Sequence, residues 1–118
     1  MFYRWIIIEN SLKDKSILKK YKILSETKFG EGAMFKVQVP EEEVNNLADS
    51  LKENIVSPYY THLYCEDSKI DRLVVVFADK QIDTKKSNYQ NAFDYGIAHG
   101  VSKEEMVIQP TDILLESW

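Results

Sequence analysis

The fold class is decided by residues 2–8, Phe-Tyr-Arg-Trp-Ile-Ile-Ile, which are mostly apolar at both odd and even positions. A strand with one face in water alternates apolar and polar side chains, so this strand is predicted to be covered on both faces. Residues 73–78, Leu-Val-Val-Val-Phe-Ala, show the same pattern. Two helices cover only one face of a small sheet, so we expect a third helix or another subunit to close the second face.

The chain of 118 residues has the size of a single domain, which we place at residues 1–118. Its formal net charge is -4, whereas a nucleic-acid-binding protein needs a basic stripe to displace the counterions of phosphate. One local group of cations exists, and we interpret it as a solvated helix face and the turn after it. No nucleic-acid partner is therefore predicted. The group of cations consists of Lys13, Lys15, Lys19, Lys20 and Lys22.

The compartment is predicted from cysteine usage and hydropathy. Cys65 is the single cysteine, so it has no partner for an intramolecular disulfide and suits a reducing compartment. The first residues lack the long apolar stretch and cleavage site of a signal peptide, and no apolar run has the length of a membrane span. We expect a cytoplasmic protein without a membrane partner.

The strands and helices follow from periodicity and capping residues. Strands are predicted at residues 2–9, 22–28, 33–39, 59–65, 70–78 and 81–84. A short helix is expected after Ser11. A longer helix is predicted to begin at Pro40, because apolar residues recur along it at spacings of three and four and form one stripe. A third helix is predicted at residues 87–99, with Ser87 as its N-cap and Gly100 in the left-handed conformation after its end. The stripe of the longer helix is Val44, Leu47, Ala48, Leu51 and Ile55.

The order of these elements predicts an α+β fold with a ferredoxin-like βαββαβ core, to which a strand hairpin and a C-terminal third helix are added. The tail at residues 108–118 is expected either to add a last strand or to dock on a neighbouring subunit. Trp118 at its end is expected to be a core or interface residue.

The sequence also resembles a group of short, uncharacterised bacterial and archaeal proteins. The resemblance rests on residues 6–14 (Ile-Ile-Ile-Glu-Asn-Ser-Leu-Lys-Asp), 37–43 (Val-Gln-Val-Pro-Glu-Glu-Glu), 73–80 (Leu-Val-Val-Val-Phe-Ala-Asp-Lys) and 95–105 (Tyr-Gly-Ile-Ala-His-Gly-Val-Ser-Lys-Glu-Glu). None of these segments is a chemical motif, and no activity is assigned to such proteins. The resemblance therefore implies no functional residue.

Reactive side chains cluster at residues 59–65, Tyr-Tyr-Thr-His-Leu-Tyr-Cys. On a strand, alternate side chains point to opposite faces, so Tyr60, His62 and Tyr64 share one face. Cys65 points to the other face, which argues against a metal pair with His62 and, unless the strand carries a bulge between the two residues, against a nucleophile pair as well. The aromatic row is expected either to line a binding pocket or to be buried in a dimer contact or under the third helix.

Two functions of different classes remain. The first is a non-catalytic protein that self-associates through its sheet face as a homodimer and binds a small molecule or a protein partner. The second is a small enzyme that uses Tyr60, His62 and Tyr64, with Arg4 as an anion clamp. No cofactor and no metal are expected, because no phosphate-binding, dinucleotide-binding or metal-ligand spacing is present.

Overall fold

The computed structural model describes residues 1–29 and 32–103, which form a mixed α+β domain around one antiparallel sheet of six strands. The strands are β1 (Phe2–Ile8), β2 (Lys22–Phe29), β3 (Gly32–Pro40), β4 (Tyr60–Cys65), β5 (Leu73–Phe77) and β6 (Lys80–Thr84). The helices are α1 (Val44–Asn54) and α2 (Gln90–Ala98), and short 3-10 helices lie at Glu9–Ser11, Lys15–Lys20 and Glu41–Glu43. The predicted tail at residues 108–118, with Trp118, lies outside the described residues.

The order of strands in the sheet is β2-β3-β1-β4-β5-β6, and every neighbouring pair is antiparallel. β1 therefore lies inside the sheet, between β3 and β4. Apolar clusters lie on both faces of the sheet at this inner strand, which agrees with the apolar side chains at both odd and even positions of residues 2–8.

The two faces of the sheet carry two separate apolar clusters, as the apolar residues at both odd and even strand positions predicted. The α1 face contains Trp5, Val37 and Leu51, each with no exposed surface. The α2 face contains Ile6, Tyr64, Leu73, Val75, Phe77, Ala92 and Val101. We name the two faces after these helices. The third helix predicted from the sequence thus closes part of the second face within a single chain.

α1 forms because its apolar residues recur at spacings of three and four, so one stripe of the helix faces the sheet. Val44, Leu47, Ala48 and Leu51 are buried. Ile55, predicted as the last residue of the stripe, is buried but extended, and it forms an isolated bridge with Leu12 after the helix has ended.

The predicted start of α1 at Pro40 is wrong by one turn. Pro40 is the last residue of β3 and lies opposite Phe2 in the sheet. The N–H of Glu41 donates to the carbonyl of Met1 at 3.1 Å, which extends the strand pairing past the proline. The three glutamates then form a 3-10 turn, and the α-helix begins at Val44.

Two predicted N-caps are also wrong. Ser11 lies inside a 3-10 turn and donates its hydroxyl to the Ile8 carbonyl, whereas Asp14 caps the next 3-10 helix by accepting from the Ser16 N–H at 3.0 Å. Ser87 lies before α2 rather than at its start, because its N–H and hydroxyl both donate to the Asp71 carboxylate. α2 begins three residues later, at Gln90.

The end of α2 agrees with the prediction. Gly100 has φ 97°, the left-handed conformation that glycine adopts without strain. The N–H of Val101 donates to the carbonyl of Gly96 at 3.0 Å, which satisfies a carbonyl of the last turn. Neither helix in the described part of the chain is long and apolar enough to cross a membrane.

The two edges of the sheet differ in character. β2 carries a β-bulge between Ile23 and Ser25, and the side chains of Ile23 and Leu24 are 43% and 36% exposed. β6 at the opposite edge has the polar sequence Lys-Gln-Ile-Asp-Thr. Its Asp83 is held by Arg72, whose guanidinium donates to the carboxylate at 2.8 Å. The apolar side chains exposed on an edge are therefore concentrated at β2.

Candidate functional site

The aromatic row predicted on β4 exists as a stack of three rings. The centroid of the His62 ring lies 6.4 Å from that of Tyr60 and 6.4 Å from that of Tyr64, with interplanar angles of 23° and 26°. The row belongs to the α2 face, while Leu63 and Cys65 belong to the cluster of the α1 face. The alternation of β4 thus places the three predicted site residues together, as the sequence indicated.

The row is an interior feature of the single chain. His62 and Tyr64 are each only 3% exposed, and Tyr60 is partly buried against the same cluster. Directly opposite His62 in the neighbouring strands lie Ile6 and Val75, both buried. His62 and Tyr64 are therefore buried in the single chain, and the binding role expected for the row stays a prediction.

Burial lowers the pKa of His62 to about 4, because a charged imidazole loses its hydration in the interior. The ring is therefore neutral near pH 7. Its Nε2 atom has no hydrogen-bond partner within residues 1–29 and 32–103. A general base works best when its pKa is close to the operating pH, so this imidazole is poorly matched to acid–base chemistry.

The stack continues from the sheet onto α2. Phe77 lies 5.9 Å from Tyr60 and 4.9 Å from Tyr95 between ring centroids, and Tyr95 stacks on His99 at 3.9 Å. His99 is exposed, and its Nδ1 lies 2.8 Å from the Tyr95 carbonyl at the end of the helix. Aromatic contacts of this kind contribute about 1 kcal/mol beyond burial and hold α2 on the sheet.

Arg4, the predicted anion clamp, lies beside the row. It is the partner of Tyr64 in the β1–β4 register, and its Nε lies 3.7 Å from the Glu66 carboxylate. An acidic neighbour competes with any anion for the guanidinium, so this pair makes the anion-clamp role less favourable.

Metal binding has no support among the described residues, in which no group of three or more histidine, cysteine, aspartate or glutamate side chains could hold an ion. Cys65 is buried on the α1 face, and its Sγ lies 3.4 Å from the Met1 Sδ. The opposite facing of Cys65 and His62 agrees with the exclusion of a joint site.

Sequence inspection missed a polar groove of about 630 Å³ where β5, β6 and the start of α2 meet. Arg72 lies in it and donates both to Asp83 and to Asn45, and the bond to the Asp83 carboxylate holds the pKa of the guanidinium above its usual value. Thr84 donates to Asn91 across the same groove at 2.9 Å. Because these polar groups already satisfy one another, the groove has a structural role in fastening β6 to both helices. An arginine placed directly before an apolar strand was the available signal.

A buried lysine was also missed. Lys36 lies opposite Ile6 on the α2 face and is 3% exposed. Lysine alternating with Phe35 and Val37 predicts a solvent-facing side chain, and only the tertiary structure reveals its burial. The α2 face therefore contains a second buried polar residue in addition to His62.

No family model, no curated protein and no solved structure matches this chain. No role is therefore transferred to Tyr60, His62, Tyr64 or Arg4 from another protein. The resemblance to short bacterial and archaeal proteins and the binding role of the row both stay predictions.

Proposed function

We propose that this protein is a non-catalytic interaction protein that associates with a second copy of itself through its sheet, with the β2 edge as the contact. The observation that carries this proposal is the unequal covering of the sheet. Buried apolar clusters lie on both faces in the single chain, whereas β2 has a neighbouring strand on only one side among residues 1–29 and 32–103. Unpaired strand edges bind other strands through backbone hydrogen bonds.

The contact is assigned to the edge rather than to the sheet face expected from the sequence. A face contact through the aromatic row would require Tyr64 and His62 to leave an interior in which each residue is 3% exposed. Displacing α2 would break the Phe77–Tyr95 contact and expose apolar surface. The edge needs no such rearrangement.

The enzyme alternative has weaker support. His62 is neutral, buried and stacked between two tyrosines, and burial alone accounts for the lowered pKa, with no charged partner contributing. A catalytic histidine is usually oriented by a second polar group and reached by substrate. We therefore favour an interaction protein, and we propose the cytoplasm as its compartment on the basis of the free Cys65.

We also propose that β1 to β4 with α1 are a ferredoxin-like core. The order β2-β3-β1-β4 with antiparallel neighbours supports this proposal. The first crossover of such a core would be made here by the 3-10 helices between β1 and β2. β5, β6 and α2 would then be additions to it.

Sedimentation equilibrium of the purified chain over a wide concentration range tests self-association, and hydrogen exchange at low and high concentration locates it. We expect a monomer–dimer equilibrium in which amides of β2 exchange more slowly at high concentration. Amides of β6, the other edge, are the internal control and should exchange at an unchanged rate. A monomer at high micromolar concentration would contradict the proposal, and a dimer without slower exchange in β2 would refute the edge contact.

A further inference from the structure

We infer that two copies of this chain pair their β2 strands antiparallel, with a two-fold axis at Thr27 and with Glu26 of each copy opposite Lys28 of the other. This inference rests on the proposed self-association and deepens it by naming the partner strand and its register. It follows from the position of the bulge, from the faces to which the β2 side chains point and from their charges.

The bulge limits which part of β2 can pair. The register of β2 with β3 shifts between Ile23 and Ser25, so Leu24 has no partner in the ladder. From Ser25 onward each residue has a single partner on β3 up to Phe29. A regular outer edge therefore extends over residues 25–29, and a bulge bends the strand away before it.

The faces of the side chains follow from their partners on β3. Glu26 lies opposite Phe35 and Lys28 opposite Ala33, so both point to the α1 face. Thr27 lies opposite Met34 and points to the α2 face. Glu26 and Lys28 are exposed, so both are available to a strand added at this edge.

An antiparallel partner strand brings together residues that point to the same face. When two copies of Glu-Thr-Lys pair about the central threonine, each glutamate lies opposite a lysine and the two threonines lie opposite each other. Opposite charges and threonine pairs both stabilise such cross-strand positions. The triplet is therefore complementary to itself.

The neighbouring registers are less favourable. An axis at Glu26 places two carboxylates opposite each other, and an axis at Lys28 does the same with two ammonium groups. An axis at Ser25 extends the pairing across the bulge at Leu24. The axis at Thr27 uses the regular segment and no other position brings both charged residues into attractive pairs.

Charge reversal tests this register. Glu26→Lys places lysines opposite lysines and Lys28→Glu places glutamates opposite glutamates, so each single variant should raise the dimer Kd by roughly tenfold or more. The double variant E26K/K28E restores both attractive pairs and should return the Kd close to that of the unmodified chain. An equimolar mixture of the two single variants should form a heterodimer, since every cross-strand pair is then between opposite charges.

Lys22→Glu is the matched control, because it changes the net charge as Lys28→Glu does but lies before the bulge, opposite Gln38. We expect its dimer Kd to stay within about twofold of the unmodified value, and circular dichroism should show that all variants fold. A dimer that none of the Glu26 and Lys28 variants weakens would overturn the register while leaving self-association intact. A chain that is monomeric at every concentration would instead overturn the proposed function itself.

Discussion

His62 shows how strongly a single buried side chain depends on its surroundings. The imidazole is enclosed by apolar and aromatic neighbours, and its Nε2 has no hydrogen-bond partner in the described ranges. An unsatisfied buried polar atom costs about 1–3 kcal/mol. The row of Tyr60, His62 and Tyr64 therefore contains a local loss of stability that the stacking contacts offset.

Acid should destabilise the fold through this residue. The unfolded chain protonates His62 near its ordinary pKa of about 6.5, whereas the folded chain does so only at about 4. Between these values the unfolded state binds more protons, so the free energy of unfolding falls as the pH decreases. The loss from about pH 7 to about pH 5 is about 2 kcal/mol for a shift of this size.

Urea unfolding at the two pH values measures this effect. His62→Phe keeps an aromatic ring and removes the proton site, so we expect the pH dependence to become shallower by that amount. His99→Ala, which removes the other of the two histidines and keeps His62, is the matched control for the loss of a histidine. An equally steep dependence in His62→Phe would show that the imidazole is not protonated on unfolding.

The direction in which the site residues point could be predicted from the sequence, but their depth could not. Alternation along residues 60–65 assigns His62 and Cys65 to opposite faces, and the structure agrees. Alternation carries no information on what covers a face. The burial of Lys36 has the same origin, because lysine between two core residues has the pattern of a solvent-facing position.

At the scale of elements, β1 and β4 are joined by a buried hydrogen-bond chain in addition to their backbone ladder. The indole Nε1 of Trp5 donates to the Thr61 hydroxyl at 2.7 Å, and that hydroxyl donates to the carbonyl of Ile6. Both side chains lie on the α1 face, where Trp5 has no exposed surface. The threonine thus connects a side chain and a backbone group of the central strand.

Thr61→Val should lower the free energy of unfolding by about 1–3 kcal/mol, because it leaves the buried indole N–H without a partner. Thr61→Ser keeps the hydroxyl and should cost less than valine does. Equilibrium urea unfolding followed by circular dichroism measures both variants. If hydrophobic burial alone set the stability here, valine would be the more stable of the two, so that order would contradict the prediction.

The boundaries of helices and strands were predicted well where an apolar pattern extends over many residues. They were predicted poorly where a residue with the chemistry of a helix start has a partner in a distant part of the chain. The strands and the stripe of α1 follow from apolar spacing. Pro40 and Ser87 have the chemistry of helix starts, yet Pro40 pairs with Phe2 and Ser87 binds Asp71. These competing partners come from distant parts of the chain, so local capping preferences could not identify them.

At the scale of the whole molecule, the proposed dimer depends on exposed charges, so it should be sensitive to salt. Raising the ionic strength screens exposed ion pairs. We expect the dimer Kd to rise by about threefold to tenfold from low to high salt, measured by sedimentation, because each cross-strand pair is worth a few tenths of a kcal/mol to 1 kcal/mol. The E26K/K28E variant should respond alike. Association that strengthens with salt would point to an apolar contact instead.

The proposed contact edge is the feature that the sequence indicated least. The apolar residues at both odd and even positions of residues 2–8 and 73–78 predicted that both faces of the sheet are covered, and they suggested a dimer formed through a sheet face. Which strands are terminal depends on the strand order, which is a property of the assembled sheet. The predicted ferredoxin-like order already places β2 at an edge of the sheet, whereas the bulge that limits its regular part to residues 25–29 is visible only in the structure.

The polar side chains of β6 should limit the addition of further chains to the proposed dimer. Once two copies have joined through β2, the outermost strands of the pair are both β6, where Lys80 is exposed and Asp83 is engaged by Arg72. Charged and polar outer strands discourage further addition of chains. Concentrated solutions should therefore hold closed pairs rather than fibrils, since both ends of the pair are polar strands in the part of the chain that the structure describes.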